Sequence, residues 1–409
     1  MIRKLAVTAF AVSLFALNAM AQNYPANARV QSLGGSFIVD DASDVMRYSA
    51  YMNNYTDIAQ ITFDSPIWGV KSFGDKVNIG VVVNRPLLLD ASFYTDASAA
   101  AKVVNAGISG ITDQNIPHIL FGLNLSSNFQ LGFDLFWEHA HYGSSINDEP
   151  EGGTSSETKV TGNVNNAGGI VSGIIGLGDG KLALKAGMGL PRMRAKSEVT
   201  TANTVETEAK SEKGLFSVLG GELGFTTREM DVTIGADWTH SHFQFKGTDG
   251  TTGNQSYNNT LNFYAGANAT VDSSSFVTFM YDFRIQNNGN HPDNTTHDAR
   301  RVFTNVISSI FYAGYENVWT QAWIFDKFAA RAGVNYVISS TVDHQKGDGT
   351  GGSYTSRIKH ETDYSQVDPC LGIGFVKKIF ALDVTVDPAV WAGLISGPKV
   401  GTVTATLDF

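Results

Sequence analysis

The chain predicts an all-β fold, a transmembrane antiparallel β-barrel of about 14 strands, in a range of about 12–16, with an N-terminal plug in its lumen. Three observations carry the prediction. Apolar and polar residues alternate with period two along most of the chain, so each strand has one greasy face and one polar face. Short turns alternate with long polar stretches, the asymmetry expected between the periplasmic and extracellular ends of an outer-membrane barrel. The final stretch, residues 401–409, alternates to its last residue: Val403, Ala405, Leu407 and Phe409 share one face, and Thr402, Thr404, Thr406 and Asp408 the other.

At the N-terminus, residues 1–21 read as a cleavable secretory signal. Arg3 and Lys4 precede an apolar run at 5–17, and Ala19-Met20-Ala21 places the cut after Ala21. The run is shorter than the about 20 residues of a membrane helix. The formal charge is −10; losing Arg3 and Lys4 takes it to about −12. That excludes a nucleic-acid partner, which needs a basic stripe. Composition fits a barrel: 42 glycines, 25 phenylalanines and 14 tyrosines stand against 17% charged residues. The single Cys370 excludes an internal disulfide framework. The expected location is the bacterial outer membrane, with both termini periplasmic.

Residues 22–56 precede the barrel. Gly34-Gly35 allows a tight turn with positive φ. Asp40 and Asp41, with Ser43, can cap a short helix over 45–53. The segment is polar yet carries Phe37, Ile38, Val45, Met46 and Tyr51, which suits a plug packed on a lumen wall; a tail outside the barrel is the alternative.

Residues 28–50 also resemble the opening of FadL-type long-chain fatty-acid transporters and their relatives, the aromatic-hydrocarbon transporters and the PorV-like secretion barrels. The match runs through Ala28-Arg29, Leu33-Gly34-Gly35 and Asp41-Ala42-Ser43, and keeps Ala50. Tyr48 and Ser49 stand where the family has Asn and Pro. The resemblance implies a lumenal hatch, a barrel of 14 strands in the family's pattern, and hydrophobic substrates that leave sideways through the wall.

Residues 57–409 form the barrel. In 129–137, Phe129, Leu131, Phe133, Leu135 and Trp137 face one way and Gln130, Gly132, Asp134 and Phe136 the other. Residues 181–190, 261–271, 277–285 and 380–386 repeat the scheme. The apolar face also carries Trp238, Phe263, Tyr281, Tyr336 and Trp391. Polar stretches at about 143–165, 192–212, 247–257, 288–301 and 343–359 read as long extracellular loops. Residues 57–73 are open between an extra hairpin, which would give about 16 strands, and a non-strand segment interrupted at Pro66. A change of apolar parity after Trp238 suggests a bulge at 239–241.

The inward charges are Asp134, Glu138, Lys185, Asp237, Asp282, Arg284, Arg331, Asp383 and Asp387. In an open lumen their acidic excess favours cations; in a closed one they pair with each other or with the plug. His139/His141 and His240/His242 place imidazoles two apart on one strand face, which suits either a metal or an interfacial girdle beside Trp137 and Trp238. No metal is assigned. Leu87, Leu88, Leu89, Phe93 and Tyr94 lie in an apolar insertion that reads as a ligand-entry loop or as a self-covering one.

No catalytic motif occurs: G-x-S-x-G, H-E-x-x-H and a P-loop are absent from the sequence. Neither an enzyme nor a cofactor is expected. The expected function is passive uptake of small hydrophobic molecules. The alternatives are a non-transporting scaffold, or a secretion- or adhesion-associated barrel whose loops bind partners, and thirdly a general porin. The expected partners are outer-membrane lipid and lipopolysaccharide, the barrel-assembly machinery through Val403, Ala405, Leu407 and Phe409, and a hydrophobic small molecule. A monomer is expected.

Overall fold

The computed structural model describes residues 27–63, 66–83, 117–148, 156–200, 204–247, 252–291, 300–348, 355–386 and 400–409. The signal region, Leu87, Leu88, Leu89, Phe93, Tyr94, Asp387 and Trp391 lie outside the described residues, as does the side chain of His141.

A short helix, α1 (Ala28–Ser32), and two 3-10 turns (Ala42–Met46 and Ser49–Asn53) precede the strands. These are β1 (Ile58–Thr62), β2 (Ile67–Phe73), β3 (Val77–Val83), β4 (His118–Ser126), β5 (Phe129–Asp148), β6 (Ser156–Gly176), β7 (Gly180–Thr200) and β8 (Thr204–Thr226). There follow β9 (Met230–Gly247), β10 (Thr252–Asp272), β11 (Ser275–His291), β12 (Arg300–Thr320), β13 (Lys327–Asp348), β14 (Thr355–Lys377), β15 (Phe380–Val386) and β16 (Val400–Asp408). Each strand pairs antiparallel with its sequence neighbours, and β1 pairs with β16 to close the barrel, Ile58 opposite Asp408 and Thr62 opposite Thr404.

The barrel thus has 16 strands, not about 14. The open segment 57–73 supplies the difference. Pro66 falls between β1 and β2, where its missing N–H costs the ladder nothing, so the two strands form a hairpin.

The alternation fixes which face turns outward. Trp137, Met188 and Leu190 are each more than 60% exposed, while Asp134, Glu138 and Lys185 on the opposite faces are buried. Along β5 the outward apolar residues run from Phe129 to Trp137, which spans about 27 Å of strand. At the usual tilt that is about 20 Å of height, close to the apolar band of a membrane barrel. Among the described residues no helix is long and apolar enough to cross a membrane; strands carry the span.

Two expectations fail. The polar stretches are mostly not loops, because the ladders continue through them: β5 pairs with β6 as far as Asp148 and Ser156, and β7 with β8 as far as Thr200 and Thr204. Backbone hydrogen bonds need no apolar side chains, so strands extend beyond the band with polar residues on both faces. The bulge at 239–241 is also absent. β9 keeps register with both neighbours there, and Phe243 turns into the lumen, where it is buried. The irregularity lies across the ladder, at Ser211/Lys213 on β8.

Candidate functional site

The N-terminal segment lies against the inner face of the barrel and follows it strand by strand. Asn27 caps α1, its side chain accepting from the Val30 N–H at 3.0 Å, and the Ala28 N–H donates to Thr404 Oγ1 on β16 at 2.9 Å. After α1 the chain turns at Gly34 and Gly35, with φ of 80° and 89°. Only glycine adopts such values without strain. Asn335 on β13 donates to the Gly34 carbonyl at 3.3 Å, and Asn268 on β10 to the Ile38 carbonyl at 2.9 Å. The first 3-10 turn begins in a capping box between Asp41 and Asp44, with Ser43 N–H donating to Asp41 at 2.9 Å. The expected helix over 45–53 is replaced by the two 3-10 turns. Ala50 N–H donates to Ser172 on β6 at 2.8 Å, Asn53 to the Leu131 carbonyl on β5 at 3.0 Å, and Asn78 on β3 to Asn53 at 2.7 Å. From β16 to β3, the segment makes a circuit of the wall.

The wall is cut to receive it. A Cβ on Gly122 of β4 would lie 2.4 Å from Asn53, on Gly132 of β5 2.1 Å from the Ala50 nitrogen, and on Gly266 of β10 2.5 Å from Ile38. On Gly314 of β12 it would meet the Leu33 carbonyl at 2.8 Å, on Gly333 of β13 the Gly34 nitrogen at 2.2 Å, and on Gly372 of β14 Ser32 at 2.3 Å. These inward glycines are where segment and strand backbones approach most closely.

Charges fasten the segment at three places, one of them Lys181 of β7 with Asp40 at 3.3 Å. Arg29 pairs with Glu316 at 3.0 Å and with Asp41 at 3.5 Å, while Arg331 bonds both Glu316 and, at 2.6 Å, Asp383. Arg47 is buried and bonds Glu222, the Tyr264 hydroxyl at 3.0 Å and the Phe37 carbonyl at 2.8 Å, with Asp44 at 3.4 Å. Its guanidinium lies 4.7 Å from the Phe37 ring centroid. The Tyr51 and Tyr264 hydroxyls also donate to Glu222, each at 3.1 Å. Lys185 and Asp237 pair across β7 and β9 at 2.8 Å, and the ammonium sits 4.8 Å from the Tyr48 ring. Gly220 leaves room for that pair, since a Cβ there would be 2.1 Å from Asp237.

Of the remaining inward charges, Asp282 pairs with Arg284 at 3.3 Å, Asp134 with His118 at 2.7 Å, and Glu138 accepts from Asn166 at 2.6 Å. Sequence reasoning missed Glu222, Glu316, His118, Arg29 and Arg47 as members of these clusters. Glu222 and Glu316 do carry a signal: each follows a glycine two residues earlier on the same strand face, Gly220 and Gly314.

Beyond the segment, towards the long-strand end, the inner wall divides. On β4 to β9 it is aromatic: His118 stacks on Phe136 at 5.5 Å, Phe136 meets Phe216 edge-on at 6.3 Å, and Val218 and Phe243 are buried nearby in sequence order on the same faces. On β10 to β13 it is polar, with Asn258, Thr260, Asn262, Gln286, Ser308 and Ser339. On the outer surface of the same wall an open depression of about 580 Å³ is lined by Leu184, Leu219, Trp238 and Leu261, with Gly221, Ala186 and Ala236 among the small residues there.

His139 bonds Asn165 and His240 bonds Asn259, each at 2.7 Å, and Trp238, His240 and His242 stack with planes 8° apart. Among the described residues no group of three or more His, Cys, Asp or Glu is placed to hold a metal ion.

No family profile and no curated protein sequence matches the chain. Among solved structures, it is similar to the crystal structure of a Pseudomonas aeruginosa FadL homologue, at 11% identity over 94% of this chain and 99% of that one, with a TM-score of 0.48. The unliganded ferric citrate transporter FecA is similar at 8% identity over 86% and 78%, TM-score 0.35. OmpT, an outer membrane protein of Vibrio cholerae, is similar at 8% identity over 86% and 95%, TM-score 0.27.

Proposed function

We propose that this protein is an outer-membrane barrel for passive uptake of small hydrophobic molecules, with residues 27–55 acting as a lumenal plug. The observation that carries the reading is the aromatic arc of Phe136, Phe216 and Phe243, next to a segment seated on wall glycines. A narrow apolar surface facing a polar one suits an amphipathic or aromatic cargo, whose polar end the Asn and Thr side chains of β10 and β11 can bond. In this reading the outer depression, which backs onto the Lys185–Asp237 pair, marks where the cargo would leave sideways into lipid. The short-turn end and both termini are periplasmic in this reading, and β16 serves as the strand by which the assembly machinery inserts a monomer.

The test is uptake of a fluorescent fatty acid into vesicles carrying the purified protein. Phe136→Ala/Phe216→Ala should slow uptake at least several-fold, with ion conductance unchanged. Equal uptake by both proteins sinks the hydrophobic-cargo reading. The tall polar collar formed by the extended strands favours a second reading, a scaffold for a partner. It gains if the wild-type barrel moves no probe at all.

A further inference from the structure

Two buried arginines of the lumen are met by several partners each. Arg47 bonds Glu222, Tyr264 and the Phe37 carbonyl, and Arg331 bonds Glu316 and Asp383. A third, Arg284 on β11, is held differently. It pairs at 3.3 Å with Asp282, two residues away on its own strand, and its Nε meets no acceptor. Oδ1 of Asp282 meets no donor, nor does Oδ1 of Asn262 on β10. All three residues are at most 5% exposed, so bulk water does not satisfy them.

The three unmet atoms belong to one patch of the inner wall. Asn262 lies directly opposite Arg284 across the ladder, about 5 Å away, and Asp282 follows about 7 Å along β11 on the same face. Buried polar groups without partners are costly, and a cluster of them marks a place that a further molecule fills. The patch carries no net charge. Asp282 and Arg284 cancel, and Asp237, opposite Asn262 on β9, is paired with Lys185.

The roles of the atoms select the ligand. Two oxygens require a donor, and one N–H requires an acceptor. A carboxylate would accept from Arg284, but it brings no hydrogen to Asn262 or Asp282 and sets a like charge beside Asp282. An ammonium group donates, yet it accepts nothing and faces the guanidinium. A hydroxyl both donates and accepts, and two adjacent hydroxyls can answer all three atoms.

The patch also adjoins the plug. Asp282 is opposite Tyr264 on β10 and Ile310 on β12, and both of these pack with Ile38 of the N-terminal segment. A head group at Asp282 therefore takes ground beside Ile38, which has to give way to it.

We infer that Asn262, Asp282 and Arg284 bind the polar end of the cargo, and that this end is an uncharged group bearing hydroxyls, as in a monoacylglycerol. The inference rests on the uptake reading proposed above and names its substrate class.

The test uses the full-length protein folded in detergent, titrated with a fluorescent fatty acid and with the monoacylglycerol of the same labelled chain, and read by fluorescence anisotropy. Wild type should bind the monoacylglycerol at least about tenfold more tightly than the acid. Asn262→Leu should weaken the monoacylglycerol about tenfold and the acid far less. Asp282→Asn should move the preference towards the acid, because it leaves the Arg284 charge facing the head group. Arg47→Met, which frees the segment, should tighten binding of the monoacylglycerol. Heat-modifiable migration on gels establishes that each variant is folded. A wild type that binds the acid as tightly as the monoacylglycerol overturns the hydroxyl assignment. A preference that survives both Asn262→Leu and Asp282→Asn overturns the site and leaves its polar atoms to ordered water. Unchanged affinity in Arg47→Met overturns the displacement of Ile38. A wild type that binds neither probe overturns the uptake reading itself.

Discussion

Arg47 joins the N-terminal segment to the far wall. Its planar fork reaches Glu222 and Tyr264 on the barrel and the Phe37 carbonyl in the segment, a set of partners that lysine's single point charge cannot satisfy together. Replacing it with methionine takes the guanidinium away from the buried Glu222, whose remaining hydrogen bonds come from the Tyr51 and Tyr264 hydroxyls. Breaking a buried pair from one side costs about 3–5 kcal/mol. Arg47→Met should therefore release the segment, read as a rise in single-channel conductance, and Arg47→Lys should restore closure only partly. Gly132→Val reaches the same end without touching a charge, because its Cβ would sit 2.1 Å from the Ala50 nitrogen. If both variants conduct like wild type, the segment does not close the lumen. Alternation alone sufficed to place Asp134, Lys185 and Arg331 on the inner face. It could not pair Arg47 with Glu222, since the two are distant in sequence and one lies outside any strand, where no periodicity applies.

At the scale of elements, the closing seam between β1 and β16 carries its own latch. Asp57 adopts a φ of 58°, unusual for a non-glycine residue, and its carbonyl accepts from the Phe409 N–H at 2.8 Å. Its side chain takes a hydrogen bond from Ser72 at 2.6 Å and pairs with Lys71 at 2.6 Å, and the lysine also lies 5.0 Å from the Phe409 ring. Hydrogen bonds from Lys71 and Ser72 hold the Asp57 carboxyl down at about 2, below its ordinary 3.8. A lowered folded-state pKa stabilises the fold above the unfolded value and is lost as pH falls from 3.8 through about 2. The thermal midpoint should thus fall over that window, and Asp57→Asn should flatten this part of the profile. A variant whose acid profile overlays that of wild type would remove the latch from the account.

The terminal strand was legible because its alternation is strict, whereas the β1–β2 hairpin was ambiguous because Pro66 looks the same in a connection and in a broken strand. The polar collar was misread for a related reason. Turn-like composition describes side chains, and the ladder there is held by backbone.

On the scale of the whole molecule, the segment pairs its charges with the wall as well as filling space, although its two arginines and three aspartates leave it one unit acidic. It brings Arg29 and Arg47 to the acids of the wall, and its own Asp40 reaches Lys181 at 3.3 Å. Deleting residues 28–53 strips those partners away together. The same level then keeps Glu222, Asp237, Glu316 and Asp383 against Lys181, Lys185 and Arg331, with Asp134 and Glu138 further along the lumen. A low-dielectric wall focuses that excess, so the opened barrel should prefer cations. In a potassium chloride gradient the reversal potential should move towards the potassium value. Adding Glu222→Gln and Glu316→Gln should bring it back towards zero, because these are the acids that lose an arginine. An opened barrel that selects anions would mean that the inner wall is not arranged as described. Selectivity that survives both substitutions would move its source to the Asp134 and Glu138 level.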